Sequence, residues 1–227
     1  MPMKTILISG GSTGLGKAIA QVLAPNNNVI ILARNEAKLQ ATAEELGCKY
    51  VVGDVRDYHA MDQICRQIGS IDCLVNNAGI WLQGALDETD SQRIQGAIDT
   101  NVNGTINLTK AVMPGMKQQK HGLIINVVSQ GGLNARTGWP VYTASKWAIT
   151  GFTKSMQQEL EPFGIGVTGL YPATLNTEMF ATAGASKNVS YALDPAEVAK
   201  TVAFLLNMDG VALLPEVGIK QFPTAKQ

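Results

Sequence analysis

The chain has 227 residues, of which 45% are hydrophobic, so it is long enough to bury the core of one α/β domain. Eighteen Lys and Arg residues balance eighteen Asp and Glu residues, which removes any general electrostatic case for nucleic acid or an anionic membrane as a partner. The three cysteines, Cys48, Cys65 and Cys73, are odd in number and lack Cys-x-x-Cys spacing, so we expect buried, reduced thiols rather than disulfides or a zinc site.

The sequence shows no signal for membrane insertion or secretion. No apolar run approaches the roughly eighteen residues of a membrane span. Only five residues, Thr5 to Ser9, precede Gly10 in the first apolar run, which is too short for the apolar region of a signal peptide. We therefore expect a cytoplasmic protein with no membrane partner.

Short apolar runs alternate with stretches of helical periodicity along the chain. The runs that predict buried strands are residues 5–8, 29–32, 50–52, 72–75, 123–128, 167–171 and 212–214. Helices are predicted over residues 17–23, 36–46 and 58–68, over two stretches before residue 123, from Tyr142 to about Glu161, and over 195–206. Strands that are apolar throughout and alternate with helices predict an α/β fold, a Rossmann-like doubly wound parallel sheet covered by helices on both faces. No linker or repeat interrupts the pattern, so one domain is expected over residues 1–227.

A glycine-rich turn follows the first predicted strand, with Gly10, Gly14 and Gly16 in the pattern Gly-x-x-x-Gly-x-Gly. Glycines permit a tight turn and let the backbone approach a pyrophosphate, whose charge is favoured by the amino terminus of the next helix. The spacing differs from Gly-x-Gly-x-x-Gly, so these residues alone also allow an ordinary strand-to-helix turn. Their position in an alternating strand and helix pattern favours a dinucleotide cofactor.

The residues after the second predicted strand bear on the type of dinucleotide. An acid at this place would bind the ribose 2′-hydroxyl of NAD, but the chain has Ala33 and Arg34 instead. An arginine can pair with a 2′-phosphate, so Arg34 favours NADP. The alternative is that Arg34 is a solvated surface residue.

Tyr142 and Lys146 lie four residues apart in a predicted helix, so their side chains share one face. A neighbouring ammonium lowers the pKa of a phenol from its usual value of about 10, which suits the phenol to proton transfer near neutral pH. Ser129 follows the predicted strand 123–128 and would present its hydroxyl at the carboxyl edge of the sheet, where open α/β folds bind ligands. Taken alone, Tyr-x-x-x-Lys also occurs by chance on ordinary surface helices.

Together these features resemble the short-chain dehydrogenase/reductase family over roughly residues 4–208. The motifs that carry the resemblance are Gly10-x-x-x-Gly14-x-Gly16, Asp54-Val55, Asn76-Asn77-Ala78-Gly79, Asn101, Ser129, Tyr142-x-x-x-Lys146 and Pro172 with Thr177. The chain departs from the family in that Ser9 replaces a threonine, Ala173 replaces a glycine after the proline, and residues 214–217 replace a glycine-rich tail that normally helps to build a tetramer.

The resemblance implies an NADP(H)-dependent carbonyl reductase or alcohol dehydrogenase, without a metal, that acts on a ketone, aldehyde or 3-oxoacyl substrate. Ser129 would bind the substrate oxygen, Tyr142 would transfer a proton, and Lys146 would lower the pKa of the phenol and bind the nicotinamide ribose. Asn101, the fourth catalytic residue, would hold a backbone and water link to Lys146. Asp54 and Val55 would flank the adenine, residues 76–79 would wall the cofactor, and Leu175 and Thr177 would hold the carboxamide. The full set of predicted cofactor-binding residues is Gly10, Ser12, Thr13, Gly14, Leu15, Gly16, Arg34, Asp54, Val55, Asn77, Ala78, Gly79, Tyr142, Lys146, Pro172, Leu175 and Thr177.

The resemblance also implies a homodimer or homotetramer in which the helices after Asn101 and from Tyr142 pair with their copies in a neighbouring subunit. The residues predicted to make this contact are Val102, Ile106, Leu108 and Val112 on one helix and Ala148, Ile149, Phe152 and Met156 on the other.

Two other functions are weighed against this one. A non-catalytic NADP(H)-sensing protein could use the same fold, but it would have little need of Ser129, Tyr142 and Lys146 together. A nucleotide-sugar dehydratase or epimerase usually has a longer substrate domain, whereas this chain has only residues 178–194 for a substrate lid, the small and polar stretch 181–190 among them. Three residues, Trp81, Trp139 and Met179, follow motif elements and are either pocket lining or ordinary packing. His59 and His121 are isolated, and we expect them at the surface.

Overall fold

A computed structural model of the protein describes residues 3–179, 192–208 and 212–223. Within these residues, seven parallel strands form a sheet in the order β3-β2-β1-β4-β5-β6-β7. The strands are β1 Thr5–Ser9, β2 Asn28–Ala33, β3 Lys49–Val52, β4 Cys73–Asn76, β5 Gly122–Val127, β6 Ile165–Pro172 and β7 Glu216–Ile219. The helices are α1 Gly14–Leu23, α2 Glu36–Leu46, α3 Tyr58–Ile68, α4 Ser91–Ile98, α5 Gly104–Gln119, α6 Pro140–Leu160 and α7 Pro195–Leu206, with a π-helical segment Asp99–Asn103 before α5.

Helices cover both faces of the sheet, as predicted. Ile6, Leu7 and Ile8 on β1 are all 0% exposed, because alternate side chains of a strand point to opposite faces and both faces are covered. Ile6 and Ile8 belong to a core that includes residues of α1, α2 and α7, whereas Leu7 belongs to a core that includes residues of α3, α5 and α6. The fold is therefore a Rossmann-like doubly wound sheet.

Local capping residues account for the agreement between predicted and observed helix ends. The Asn35 side chain accepts a hydrogen bond from the backbone N–H of Lys38 and begins α2, and Gly47, with φ of 63°, ends it. The side chains of Asp57 and Asp194 begin α3 and α7 in the same way. Helices predicted over 36–46, 58–68 and 195–206 form with those bounds.

The prediction of a last strand at residues 212–214 is wrong. Leu213 and Leu214 are 45% and 38% exposed in irregular structure, and the last strand forms four residues later, at β7. β7 lies at the edge of the sheet, where Val217 and Ile219 pack against the core while the residues between and before them are exposed. An edge strand of this kind needs alternating rather than continuous apolar residues, which is why the apolar run was a misleading signal.

Half of the residues predicted for a subunit contact lie inside the subunit. Leu108, Val112, Ile149 and Met156 are buried, because α5 and α6 turn these side chains towards the sheet and its neighbouring elements. Their assignment to a contact between copies is therefore wrong, and the homo-oligomer itself stays a prediction. Most of the predicted lid also stays a prediction, because residues 180–191 lie outside the described residues.

The cysteines agree with the expectation of reduced thiols. All three are free; Cys65 and Cys73 are buried and Cys48 is half-buried. Burial raises the pKa of the Cys65 and Cys73 thiols to about 12, so neither is a reactive thiolate at neutral pH.

Candidate active site

A cavity of about 1380 Å³ runs along the carboxyl edge of the sheet. At one end its lining comes from the residues after β2 and β3, and at the other from the residues after β5, β6 and β7. The middle lies at the loops after β1 and β4, where the direction of strand order reverses and open α/β sheets bind their ligands. Most of the predicted site residues line it, namely Gly10, Ser12, Thr13, Gly14, Leu15, Arg34, Asp54, Val55, Asn77, Ala78, Gly79, Ser129, Tyr142, Lys146, Pro172, Leu175 and Thr177.

The glycine turn between β1 and α1 needs its glycines for two different reasons. Gly10 and Gly14 have φ of 66° and 54°, a region that side chains with a Cβ rarely adopt. Gly16 does not line the cavity, but a Cβ on it would collide with the carbonyl oxygen of Gly10. A Cβ on Gly14 would lie 3.4 Å from Thr177 Cγ2, so the loop after β6 lies directly over the turn.

Ser9 and Asn77 fasten the glycine turn to the loop after β4. The Ser9 Oγ accepts hydrogen bonds from the backbone N–H groups of Asn77 and Ala78, both at 3.0 Å. In return the Asn77 Nδ2 donates to the carbonyl oxygens of Ser9 at 3.0 Å and Gly10 at 3.2 Å. Ser9 therefore supplies the hydroxyl group that a threonine would supply at this position. Asn77 is held in place by these bonds and lines the cavity.

Arg34 lies at the end of the cavity beside β2 and β3. Its side chain is 58% exposed, and its Nη1 lies 3.8 Å from Asp54 Oδ2, a loose contact. Asp54 is held mainly by Arg56, whose guanidinium lowers the pKa of this carboxyl, with a further contribution from Arg34. Lys38, in the first turn of α2, lines the same end and was not predicted. The arrangement gives an anion in the cavity access to two cations.

Ser129, Tyr142 and Lys146 come together at the other end. Tyr142 and Lys146 are both buried at the start of α6, and Ser129, directly after β5 and Val128, lies beside the Tyr142 phenol. Ser129 has φ of 146°, which is rare for any residue other than glycine, and its Oγ accepts a hydrogen bond from the backbone N–H of Gly131 at 3.0 Å. Backbone strain of this kind persists mainly where a functional geometry requires it.

The prediction that Lys146 lowers the pKa of Tyr142 is wrong for the protein alone. Burial raises the pKa of Tyr142 to about 12, against a lowering by the hydrogen bond with Ser129. Burial also lowers the pKa of Lys146 to about 8. The Lys146 Nζ lies 5.7 Å from the centre of the Tyr142 ring and donates to the carbonyl oxygen of Val127 at 3.0 Å. Loss of water therefore outweighs the effect of Ser129, and the phenol is protonated at neutral pH.

Asn101 lies behind the cavity rather than in its lining. It is buried in the π-helical segment, where its Oδ1 accepts from the backbone N–H of Ile80 at 2.8 Å. Its Nδ2 donates to the carbonyl oxygen of Ile80 at 3.0 Å and to Ser145 Oγ at 3.1 Å. Asn101 thus joins the loop after β4 to α6 beside Lys146. Its water link to Lys146 stays a prediction.

Two tryptophans form an aromatic wall beside the phenol. The Trp81 ring centre lies 4.4 Å from that of Tyr142 and 4.3 Å from that of Trp139, and all three residues line the cavity, as does Met179. The guanidinium carbon of Arg136 lies 5.0 Å from the centre of the Trp139 ring. No local pattern singles out Arg136, because its place in the cavity depends on how the loop after β5 folds back.

The loop after β6 closes the same end. Ala173, the departure from the family glycine, has its backbone N–H bonded to the carbonyl oxygen of Ile219 at 2.8 Å, so β7 holds it in place. Leu175 forms a bridge with Leu193. Lys220 and Gln221 then follow β7 into the cavity lining, and both were missed by sequence reasoning.

No metal centre is visible among the residues that the structure describes. No three of their His, Cys, Asp and Glu side chains lie together as possible ligands. His59 and His121 are exposed, as expected. In the same described part of the chain, no helix is long and apolar enough to cross a membrane.

Comparison with known proteins identifies the family. A family model described as short chain dehydrogenase matches residues 4–188. The chain belongs to the short-chain dehydrogenase family. An acetoacetyl-CoA reductase of Paracoccus denitrificans is 34% identical over 221 residues, which is 91% of each chain. Carbonyl reductase family member 4 of Xenopus laevis is 35% identical over 214 residues, or 89% of this chain and 91% of the relative.

A solved structure supports the same placement. An alcohol dehydrogenase from the archaeon Thermococcus sibiricus, complexed with 5-hydroxy-NADP, matches with a TM-score of 0.88 at 25% identity and covers 99% of both chains. The protein is therefore an oxidoreductase of this family.

Proposed function

We propose that the protein is an NADP(H)-dependent carbonyl reductase that acts on a small ketone, aldehyde or 3-oxoacyl substrate. One observation carries the proposal: Ser129, Tyr142 and Lys146 meet in a cavity that also contains the glycine turn and Arg34. A proton donor and a dinucleotide site in one cavity are what carbonyl reduction requires. The acetoacetyl-CoA reductase among the relatives supports the 3-oxoacyl class as one candidate.

The cavity fits a dinucleotide. Its volume of about 1380 Å³ exceeds the roughly 300–1,000 Å³ of a pocket for one drug-sized ligand. Gly10 and Gly14 bring backbone to the cavity wall at the amino terminus of α1, a favourable place for a pyrophosphate. Arg34 and Lys38 would meet a 2′-phosphate, which makes NADP(H) the preferred coenzyme. When bound, the nicotinamide supplies the hydride.

The residues of the chain would then bind and protonate the substrate. Ser129 would donate a hydrogen bond to the carbonyl oxygen, and Tyr142 would give that oxygen its proton. With a pKa of about 12, the phenol is in its protonated form at neutral pH, which is the form that reduction needs. Lys146, in its charged form, would stabilise the phenolate that the transfer leaves and bind the nicotinamide ribose.

A non-catalytic NADP(H)-sensing protein is the competing function. It would gain nothing from the strained backbone of Ser129 or from burying a phenol and an ammonium in one cavity, since burial of a charged group costs free energy. These two features favour an enzyme.

The direct test is turnover. Purified protein is given NADPH or NADH with a panel of ketones, aldehydes and 3-oxoacyl thioesters, and coenzyme oxidation is followed by absorbance. We expect NADPH oxidation with at least one substrate class. Tight NADPH binding without turnover of any substrate would instead favour the sensing protein.

A further inference from the structure

The substrate end of the cavity, between the loops after β5, β6 and β7, has an excess of positive charge. Its charged lining residues among those described are Arg136, Lys146 and Lys220, with one carboxylate, Glu178. Lys146 is already assigned to the chemistry. In the described part of the chain, neither Arg136 nor Lys220 makes a salt bridge. Among the described residues, neither of these two cations is therefore paired with a carboxylate.

Arg136 is placed by the aromatic wall. Its guanidinium carbon lies 5.0 Å from the centre of the Trp139 ring, and Trp139 in turn contacts Trp81 edge to face. A guanidinium can lie over an aromatic ring and still offer N–H donors to a planar anion. Since Trp81 packs on Tyr142, the wall leads from the proposed proton donor to the charge of Arg136.

Lys220 is placed by the end of β7. The carbonyl oxygen of Ile219, just before it, accepts from the Ala173 backbone N–H at 2.8 Å. The Gln221 side chain, just after it, donates to the carbonyl oxygen of Thr174 at 3.4 Å. The residues on both sides of Lys220 are thus hydrogen-bonded to the loop after β6, which lines the cavity.

We propose that the substrate is a carbonyl compound with an anionic group, a carboxylate or a phosphate, at the end distant from the carbonyl. Arg136 and Lys220 bind this group, and Trp81 and Trp139 pack against the apolar body that joins it to the carbonyl. The proposal rests on the proposed reductase function and specifies its substrate. An anion supplies the salt-bridge partner that neither cation has among the described residues, and an arginine suits either anion because it can donate two parallel hydrogen bonds.

The test compares flat ketones that differ only in the distant group. The probes are 4-acetylbenzoate, 4-acetylphenyl phosphate and the neutral 4-acetylbenzamide, each reduced with saturating NADPH at low salt. We expect kcat/KM to be about tenfold higher for an anionic probe than for the amide, mainly through a lower KM. The preference should shrink as salt is added, because both cations are exposed. The two anionic probes show whether carboxylate or phosphate is the better ligand.

Variants of Arg136 and Lys220 test whether these residues cause the preference for an anionic probe. Arg136→Gln should remove most of the preference and Lys220→Gln part of it, because kcat/KM should fall more for the anionic probes than for the amide. Lys49→Gln is the matched control. Lys49 is an exposed lysine at the start of β3, so it lies at the amino edge of the sheet, whereas the cavity lies at the carboxyl edge. Thermal unfolding confirms that each variant is folded.

The outcomes separate this proposal from the reductase function. Equal kcat/KM for the amide and both anions, or a preference that survives both Arg136→Gln and Lys220→Gln, would overturn the anionic substrate while leaving the reductase intact. Failure of the three probes and of the wider panel to oxidise NADPH would overturn the reductase itself.

Discussion

The phenol of Tyr142 is the group on which the proposed proton transfer depends. Tyr142→Phe removes one oxygen from a buried ring that packs on Trp81, so the fold and NADPH binding should change little. We expect kcat to fall by about 10²–10⁴, the usual contribution of general acid catalysis. Tyr50→Phe, on the edge strand β3, is the control and should keep full activity. If Tyr142→Phe kept more than about a tenth of the activity, another group would have to donate the proton.

Lys146 should give the reaction an alkaline limit. Burial lowers the pKa of its ammonium to about 8, so the free enzyme loses this charge as the pH rises through 8. We expect kcat/KM for NADPH, which reports the free enzyme, to fall over the same range because the charged form binds the ribose and stabilises the phenolate. In Lys146→Arg the charge persists at alkaline pH, so the kcat/KM of any residual activity should not fall over this pH range. A wild-type profile that stayed flat from pH 7 to 9 would contradict this role.

The residues of the proton-transfer site were predictable and their electrostatics were not. The sequence shows the spacing of Ser129, Tyr142 and Lys146 directly, and in the structure all three line one cavity. The direction of the Tyr142 pKa depends on how much water burial removes, which a spacing does not contain. Arg136 and Lys220 were missed for a related reason, since each belongs to a loop whose approach to the cavity is set by distant strands.

At the scale of elements, helix α6 is fastened to the sheet by side chains along one face. The Lys146 Nζ donates to the carbonyl oxygen of Val127 at 3.0 Å, and the Asn126 Nδ2 donates to Thr153 Oγ1 at 2.9 Å. Gln157 Nε2 donates to the carbonyl oxygen of Val167 at 3.1 Å. Because Tyr142 belongs to the same helix, these bonds fix the phenol relative to Ser129 at the end of β5.

Loss of the middle bond should therefore affect activity as well as stability. Thr153→Val leaves the buried Asn126 amide without this partner and should cost about 1–3 kcal/mol of unfolding free energy. Thr168→Val is the control: Thr168 is also fully buried, and its Oγ1 donates to the carbonyl oxygen of Leu214 at 2.9 Å rather than to a residue of α6. We expect both variants to be destabilised in urea, but only Thr153→Val to lose kcat. Equal activity in the two variants would show that α6 does not need this bond for its position.

The residues at the end of β2 should set the coenzyme preference. Arg34 can meet a 2′-phosphate with charge-assisted hydrogen bonds worth roughly 1.5–3 kcal/mol, about tenfold to a hundredfold in affinity. The double change Ala33→Asp with Arg34→Ala replaces this attraction by repulsion and should reverse the preference. The measurement is kcat/KM for NADPH and NADH in both proteins. Should the wild type already prefer NADH, the role given to Arg34 would be wrong.

The ends of α2, α3 and α7 were predicted correctly, and a side-chain cap marks the start of each. Asn35 caps the start of α2 and Gly47 ends it. Both act on residues only three or four positions away, so both ends of α2 can be read from the sequence. β7 was missed because its identity depends on pairing with β6, residues 169–172 opposite 216–219, across a separation in sequence that no local pattern spans.

At the scale of the molecule, the order of the strands brings motifs that are separate in the sequence together around one cavity. β1 is central in the sheet, with β2 on one side and β4 on the other. The glycine turn after β1 therefore lies in the middle of the cavity, between the end that contains Arg34 and the end that contains Tyr142. Alternating strands and helices predict parallel strands, but the order in which they pair was not predicted and is first seen in the structure. The expected small-molecule partner follows from this cavity, whereas the cytoplasmic location stays a prediction.

The outer face of α6 is where we expect a second copy to bind. Trp147, Ala148 and Gly151 are exposed there, while Ile149 and Met156 on the same helix are buried. An isologous contact would cover the exposed tryptophan and let two helices approach closely over the small residues. We expect at least a homodimer in light scattering at micromolar concentration.

A charge placed on this face should separate the copies. Ala148→Arg puts two like charges close together across a two-fold contact, so it should shift the protein to monomers without lowering its unfolding temperature much, because Ala148 is exposed. Ala41→Arg is the matched control, an exposed alanine of α2 on the opposite face of the sheet, and should leave the assembly intact. A wild-type monomer would contradict the homo-oligomer itself. A dimer that withstood Ala148→Arg would instead place the contact away from α6.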